Sequence, residues 1–328
     1  EDGTVSPNTP GTPRVAIVFF GISRALKWTL PTFERHLFDV LDAARIEYDV
    51  FWSSMVAPTI NNPRSNERII ALDEYDVRLM RPCRFMLIDQ ESVRHKEFLR
   101  FCRARKVSFA KDKNRHIYKV YDPNSIKGKN VNSTIRKSGV RMNCPFRDPF
   151  MDGLGSLKNL LCALYSQREV ADMVSAYADE HNVQYDAIVS VRPDTAMSKD
   201  IDLPQNLEAL QQSTRHGKSL LYVANFHHWG GYNDRFAYGN PQAMLHYLTR
   251  GESYLMQPGT KIDVGEAFLR KYLELKQVEV RMSSMLVIRV RVGGRVEKLD
   301  LMLLAGWKDK SVRKRCLGQN NTLALYDC

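Results

Sequence analysis

Two kinds of apolar pattern alternate along the chain: short unbroken runs, and longer stretches in which apolar residues recur every three or four positions. Arg14 to Phe20 (RVAIVFF) is a continuous run rich in β-branched and aromatic residues that ends at Gly21. Such a run predicts a strand buried on both faces of a parallel sheet. From Pro31 to Arg45, Phe33, Leu37, Val40, Leu41 and Ala44 fall at helical spacing, and Tyr48 to Trp52 (YDVFW) reads as a second buried strand. This β-loop-α-β order opens a doubly wound α/β fold, in which ligands sit outside the carboxyl ends of the strands. The Gly21–Arg24 loop belongs to that edge.

The pattern repeats further on. Ser156 to His181 carries Leu157, Leu160, Leu161, Leu164, Val170 and Val174 on one helical face, and Tyr185 to Val191 (YDAIVSV) predicts another buried strand. Pro193 cannot donate to a ladder, so this strand is expected to end at Arg192-Pro193-Asp194, on the same carboxyl edge. Ser219–Val223 predicts a strand, 225–236 a loop dense in polar and aromatic groups, Pro241–Arg250 a helix with Pro at its first position, and Val264–Leu275 another helix. Residues 278–292 (VEVRMSSMLVIRVRV) alternate apolar with basic positions, the mark of strands with one solvated face.

Composition adds limits. The 328 residues are 44% hydrophobic and 26% charged, which is ordinary for a chain with a real core. No apolar run is long enough for a membrane helix, and no signal-peptide pattern opens the chain. Residues 1–13 read as a flexible tail, 14–292 as the folded domain, and 293–328 as a C-terminal extension packed on it. The six cysteines are scattered without a CxxC pair, which argues against zinc and against a disulfide framework, with one or two bridges left open. Of the net charge of +11, ten units come from one stretch: twelve Lys/Arg against Asp112 and Asp122 between Arg103 and Arg141. It is expected to be a long basic loop, either simply solvated or attracting an anionic partner. Its few aromatics and the lack of any recognition motif argue against nucleic acid.

Three places carry candidate chemistry. Asp194, at the end of a buried strand, is placed to hold Mn²⁺ or Mg²⁺ across two phosphates, with Arg192 either assisting or pairing with it. Its alternative is a strand-end carboxylate capping a turn. Gly21, Ser23 and Arg24 supply a tight turn and groups for phosphate or ribose. In the third, His227, His228, Trp229 and Tyr232 can stack on a sugar ring, Gly230-Gly231 lets the backbone approach a ligand, and Asp234 can act as general base. The alternative there is that Asn233-Asp234 caps the next helix and the aromatics pack inside. Glu266, near a helix start, is a capping carboxylate or a candidate for acceptor binding or proton handling.

Four segments in order, VAIVFFGISRALKWTLPTF, YDAIVSVRPDTAMSKDIDL, GGYNDRFAYGNPQAMLHYLTR and GEAFLRKYL, resemble a group of glycosyltransferases found in large algal viruses, algae, protists and bacteria. The resemblance covers most of residues 14–292. It implies a GT-A-like, nucleotide-diphospho-sugar transferase fold: an α/β structure with a mainly parallel mixed sheet flanked by helices. It also implies a nucleotide-sugar donor, a glycan or glycoconjugate acceptor, and Arg192-Pro193-Asp194 standing where such enzymes carry Asp-x-Asp. Arg192 at the first position departs from that pattern and puts the cation in question. By position, Asp234 matches the acceptor-activating carboxylate. The expected mechanism is direct displacement with inversion, so Asp194→Ala is expected to abolish transfer and leave the fold intact. A catalytically inactive glycan-binding protein of the same fold is the alternative, and the compartment stays open between a Golgi lumen and the cytoplasm.

Overall fold

The computed structural model describes residues 11–62, 65–72, 77–105, 148–149, 152–257, 262–297 and 300, with backbone alone for 108–111 and 118–121. β1 (Arg14–Ile22) leads into α1 (Leu26–Phe33), which runs on through a π-helical turn (Glu34–Phe38) into α2 (Asp39–Ala43). β2 (Glu47–Val56), the hairpin β3 (Thr59–Asn62) and β4 (Glu67–Ala71), β5 (Arg84–Asp89) and α3 (Gln90–Ala104) follow. β6 (Ser108–Lys111) pairs with β7 (Tyr118–Tyr121). The long α4 (Gly155–His181) precedes β8 (Ala187–Val191), β9 (Thr195–Met197), α5 (Leu203–Arg215), β10 (Leu220–Ala224) and β11 (Phe236–Gly239). Then come α6 (Pro241–Thr249), α7 (Gly251–Leu255), α8 (Gly265–Leu275), β12 (Glu279–Ser283) and β13 (Val287–Arg289).

Seven strands form one sheet in the order β12-β10-β11-β8-β1-β2-β5. Every pairing is parallel except those of β11, which runs against β10 and β8. This is a mainly parallel mixed sheet flanked by helices. β1 shows why an unbroken apolar run was needed: Val15, Ile17 and Phe19 enter one core layer while Ala16, Val18 and Phe20 enter the other. The first layer packs α1, α2 and α5, and the second packs α3, α4, α6 and α8. Burying one side chain such as Phe19, Phe33 or Trp52, all 0% exposed, is worth roughly 1.5–3 kcal/mol. Any one of them outweighs a surface ion pair, so the sheet rather than its charged rim holds the fold.

From β1 the chain builds outward through β2 and β5 on one side and begins the other side at β8, so the direction of sheet growth reverses between β1 and β8. A crevice at the carboxyl ends of two such strands is the usual ligand position in open α/β sheets. Several elements depart from the sequence expectations. Helix begins at Leu26, five residues early. Pro31, inside α1, has no N–H for the carbonyl one turn back, and the backbone widens into the π turn directly after it. β11, expected as part of a loop, is an inner antiparallel strand. The cap of α6 is Asn240, whose side chain accepts from Ala243 N–H at 3.1 Å, not Asn233-Asp234. Within the basic stretch 103–141, expected as a loop, α3 runs to Ala104 and β6 pairs with β7; the rest of it lies outside the described residues, as does the extension beyond 300. No disulfide joins Cys83, Cys102 or Cys162, and no helix among the described residues is long and apolar enough to cross a membrane.

Candidate functional site

Arg192, Pro193 and Asp194 leave the end of β8 in a tight turn held from two sides. Thr195 N–H and Oγ1 both donate to the Arg192 carbonyl, at 3.1 and 2.7 Å. From α1, Thr29 Oγ1 donates to the Pro193 carbonyl at 2.7 Å. From beyond β13, Val290 N–H donates to the Asp194 carbonyl at 2.8 Å. The Asp194 side chain, 1% exposed, therefore has little freedom. Its Oδ2 accepts from Arg24 Nη2 at 2.5 Å and Nε at 3.1 Å, and from Arg192 Nη2 at 2.9 Å. Its Oδ1 accepts from Arg192 Nε at 2.9 Å. The two guanidinium groups hold its carboxyl far below the usual range against the opposing effect of burial.

Behind this pair stands Glu67 of β4, also buried. It accepts from Arg24 Nη1 at 2.9 Å, from Ser65 Oγ at 2.5 Å and from Val292 N–H at 3.2 Å. Each nitrogen of the Arg24 guanidinium thus donates to a carboxylate of the protein, so Arg24 acts in organising the site. Arg192 differs, because its side chain keeps 28% exposure. Gly21 adopts φ +92° with open space around its Cβ position, so glycine is needed there for conformation, not clearance. Its N–H is already given to Ser166 Oγ at 2.9 Å. Ser23 is half-buried, and its carbonyl accepts from Leu26 N–H at 3.1 Å.

A second ionic group adjoins the first. Asp300, 0% exposed, accepts from Arg289 N–H, Nε and Nη2 at 2.7, 2.9 and 2.8 Å and from Arg235 Nη1 at 3.3 Å. His227 Nδ1 lies 3.2 Å from Arg235 Nη1, and since a guanidinium only donates, Nδ1 accepts. Burial and Arg235 push this imidazole below its ordinary value, which keeps it neutral near pH 7. The solvated face expected over 278–292 holds in β12, where Arg281 is exposed, and fails at Arg289 and Arg291. Arg289 is mostly enclosed, and Arg291 is 6% exposed. β13 pairs with β9 just past Asp194, so the basic positions turn into the ion cluster instead of toward water. Arg291 binds Glu297 at 2.8 Å, yet burial and the charges of Arg24 and Arg289 lower its pKa to about 10. Arg24, Arg192, Arg235, Arg289 and Arg291 each meet a carboxylate here.

The loop from Asn225 to Arg235 makes the rim. His227 (φ 47°), Trp229 (φ 44°) and Gly230 (φ 80°) are all left-handed; for the two side-chain-bearing residues this costs about 1–3 kcal/mol each, a kind of strain that persists mainly at functional sites. Trp229 stands 56% exposed, its ring 5.4 Å from that of His227. His228 is half-buried, with Nε2 3.3 Å from Asn225 Oδ1. Tyr232 is half-buried against the second core layer. Asn233 folds inward, donating to the Phe226 carbonyl at 2.8 Å and accepting from Arg235 N–H at 2.9 Å. Asp234, partly exposed, is close enough to Arg192 to raise that guanidinium's pKa, and close enough to Glu266 to raise its carboxyl.

Of the residues singled out from sequence, the structure brings Arg24, Arg192 and Asp194 into one cluster and sets Asp234, Glu266 and His227 around it. It adds Glu67, Arg235, Arg289, Arg291 and Asp300, which sequence reasoning missed. The RVRV run at 289–292 was the available signal for two of them; Glu67 carries none. The donor set around Asp194 does not suit a divalent cation. Its oxygens are engaged by two guanidinium groups, a third guanidinium lies near, and among the described residues no group of three or more His, Cys, Asp or Glu could hold a metal ion.

No family profile and no curated protein matches this sequence. Among solved structures, the chain is similar to the apo-form glycosyltransferase GlyE of Streptococcus pneumoniae TIGR4, with 10% sequence identity and a TM-score of 0.34. The alignment covers 82% of this chain and 45% of that one, so the chain spans less than half the length of its neighbour. A likeness at this level says nothing about chemistry.

Proposed function

We propose that the chain is a glycosyltransferase of GT-A-like fold that moves a hexosyl or pentosyl group from a nucleotide-diphosphate sugar to a hydroxyl of a glycan or glycoconjugate. The observation that carries this reading is the concentration of arginine at the carboxyl ends of β1 and β8, with the Arg192 guanidinium partly exposed next to a partly exposed carboxylate. Arg291, its pKa lowered by burial and by Arg24 and Arg289, stands where a nearby anion would be favoured. Arg192 is the guanidinium with an exposed edge, and it would meet the departing diphosphate there. In this reading arginine supplies the charge neutralisation that a metal gives elsewhere. The ordered motif set supports the same assignment.

Asp234 takes the proton of the acceptor hydroxyl. The acceptor oxygen then bonds to the anomeric carbon from the face opposite the leaving group, and the electron pair of the broken bond departs on the diphosphate. Trp229 and His227 offer a flat apolar and polar surface for a sugar ring. Gly21, Ser23 and the turn they form line the nucleotide side, and Arg24 fixes Asp194 so that Arg192 keeps its aim. A thermal-shift panel of nucleoside diphosphates and nucleotide sugars, with and without Mn²⁺, tests this, because a ligand that binds only the folded state raises the melting temperature. The expected result is a shift with one nucleotide that does not require Mn²⁺. A shift that appears only with Mn²⁺ would overturn the arginine assignment. No shift with any nucleotide would favour a glycan-binding protein of the same fold.

A further inference from the structure

Glu67 stands outside the seven-stranded sheet, at the first position of β4, and the turn that brings it to the site is fixed from two sides. Asn66, just before it, is left-handed at φ 58°, a conformation that asparagine tolerates better than most residues. Arg295 Nη2 donates to the Ser65 carbonyl at 2.8 Å, and Val292 N–H donates to Glu67 Oε1 at 3.2 Å. The Glu67 side chain is 1% exposed, and its other oxygen, Oε2, accepts from Ser65 Oγ at 2.5 Å and from Arg24 Nη1 at 2.9 Å.

From Glu67 an unbroken line of hydrogen bonds runs to the exposed edge of the site. With Nη1 held by Glu67, the Arg24 guanidinium meets Asp194 Oδ2 through both Nε and Nη2. Asp194 in turn receives Arg192 side-on: Nε binds Oδ1 and Nη2 binds Oδ2, each at 2.9 Å. A guanidinium is a rigid plane, so binding two of its nitrogens fixes where the third lies. Arg192 Nη1 makes no hydrogen bond among the described residues, and it belongs to the side chain that keeps 28% exposure.

We infer that Glu67 is a positioning residue of the anion site: from the β3–β4 hairpin it commits Arg24 to Asp194, and so fixes the direction in which Arg192 Nη1 meets an anion. This rests on the arginine-based reading above. If Glu67 served only to balance the charge of Arg24, its removal would leave the site more positive and anions would bind more tightly. A positioning role has the opposite sign. Without Glu67, Arg24 loses its hold on Asp194, Asp194 loses its hold on Arg192, and anions bind more weakly.

The test is a calorimetric titration of inorganic pyrophosphate into the full chain, as wild type, Glu67→Gln, Ser65→Ala and Arg192→Gln. Wild type is expected to bind, and Arg192→Gln to bind least. Glu67→Gln is expected to lose about tenfold in affinity, the worth of one misdirected charge-assisted hydrogen bond. Unchanged or tighter binding by Glu67→Gln overturns the positioning role. If that variant does not fold, Ser65→Ala decides, because it keeps every charge and removes only the hydroxyl that donates to Glu67. A loss of about two- to threefold is then expected, as for part of one neutral hydrogen bond, and unchanged affinity overturns the role. Absence of pyrophosphate binding by wild type, or binding indifferent to Arg192→Gln, overturns it as well. Pyrophosphate reports on the anion site alone. Binding that weakens in Glu67→Gln while no nucleotide sugar shifts the melting temperature would retire the transferase reading and keep the positioning role.

Discussion

The two ends of the central sheet both carry buried charge, and they use it in opposite ways. At the amino end, Arg14 donates to Asp49 through Nε and Nη2 at 2.8 and 2.9 Å, and Tyr185 Oη donates to the same carboxylate at 2.8 Å. Arg14 N–H and Gln211 satisfy Asp186 at 2.9 and 2.8 Å. That cluster is balanced and closed. At the carboxyl end, Arg24, Arg192, Arg235, Arg289 and Arg291 crowd around Asp194, Glu67, Glu297 and Asp300, with a strained loop and an exposed tryptophan beside them. A closed buried ion cluster stabilises and ends the matter, whereas one with a guanidinium edge left exposed, as at Arg192, offers donors that a ligand can meet.

The contrast can be broken most forcefully at Asp194. Asp194→Ala leaves two guanidinium groups facing each other without their shared carboxylate, at a cost of about 3–5 kcal/mol for breaking a buried pair. The sequence-based expectation that this variant keeps its fold intact is therefore replaced: a clear drop in melting temperature is expected, seen by calorimetry alongside any loss of transfer. An unchanged melting temperature would show that the cluster does not depend on its central acid. The same carboxyl has a depressed pKa, so its stabilisation is complete above the ordinary Asp value of about 3.9 and is lost as pH falls below it. Acid unfolding of wild type should be correspondingly steeper than that of Asp194→Ala.

Gly231→Ala comes next. Its Cβ would fall on the Glu266 carbonyl, so the loop must lift from α8, with an overpacking cost of about 1–3 kcal/mol or more. Gly265→Ala meets Asp234 Oδ2 at 3.2 Å and Leu160 Cδ1 at 3.1 Å, and a smaller loss is expected. Equal losses in urea titrations would mean the approach of Gly231 to α8 is not what joins loop to helix.

At the closed end, Tyr185→Phe removes one hydrogen bond to Asp49, which keeps its two from Arg14. A loss of about 1 kcal/mol is expected, with nucleotide-induced thermal shifts unchanged. A changed nucleotide response would end the distinction between the two sheet ends. Glu266→Gln acts through pH. The folded carboxyl holds its proton up to about 7, so the stability it contributes is full below about 4.3 and is lost as pH rises toward 7. Glutamine has no such loss. The variant should gain stability relative to wild type as pH rises from about 4.3 to about 7, and a pH-independent difference would contradict the raised carboxyl. Smallest for stability is Trp229→Ala, within about 0.5 kcal/mol as for an ordinary surface position, while sugar-dependent thermal shifts disappear.

Much of the scaffold was legible in the chain. β1, β2 and β8 are buried on both faces, so their residues must be apolar without interruption, and that leaves a mark no partner is needed to read. α4 is long enough for its period to stand out, and Arg192-Pro193-Asp194 announced a strand end because proline cannot pair. β11 was hidden because its four residues follow a polar loop with no turn signal between them. The ion cluster was half visible: Arg24, Arg192 and Asp194 follow predicted strand ends, but Glu67, Arg235 and Asp300 carry no such mark.

The sequence by itself determined the α/β order, the carboxyl edge where chemistry gathers, and the aromatic loop that rims it, since all of these follow from local periodicity and backbone restrictions. Only the tertiary structure decided which charges meet. Arg24 lies 170 residues from Asp194 and 43 from Glu67 along the chain, and an electrostatic pair depends on distance in space, which the order of residues does not contain. The same is true of the rim loop and α8, whose close approach comes from glycine at 231, which allows one backbone to rest against another.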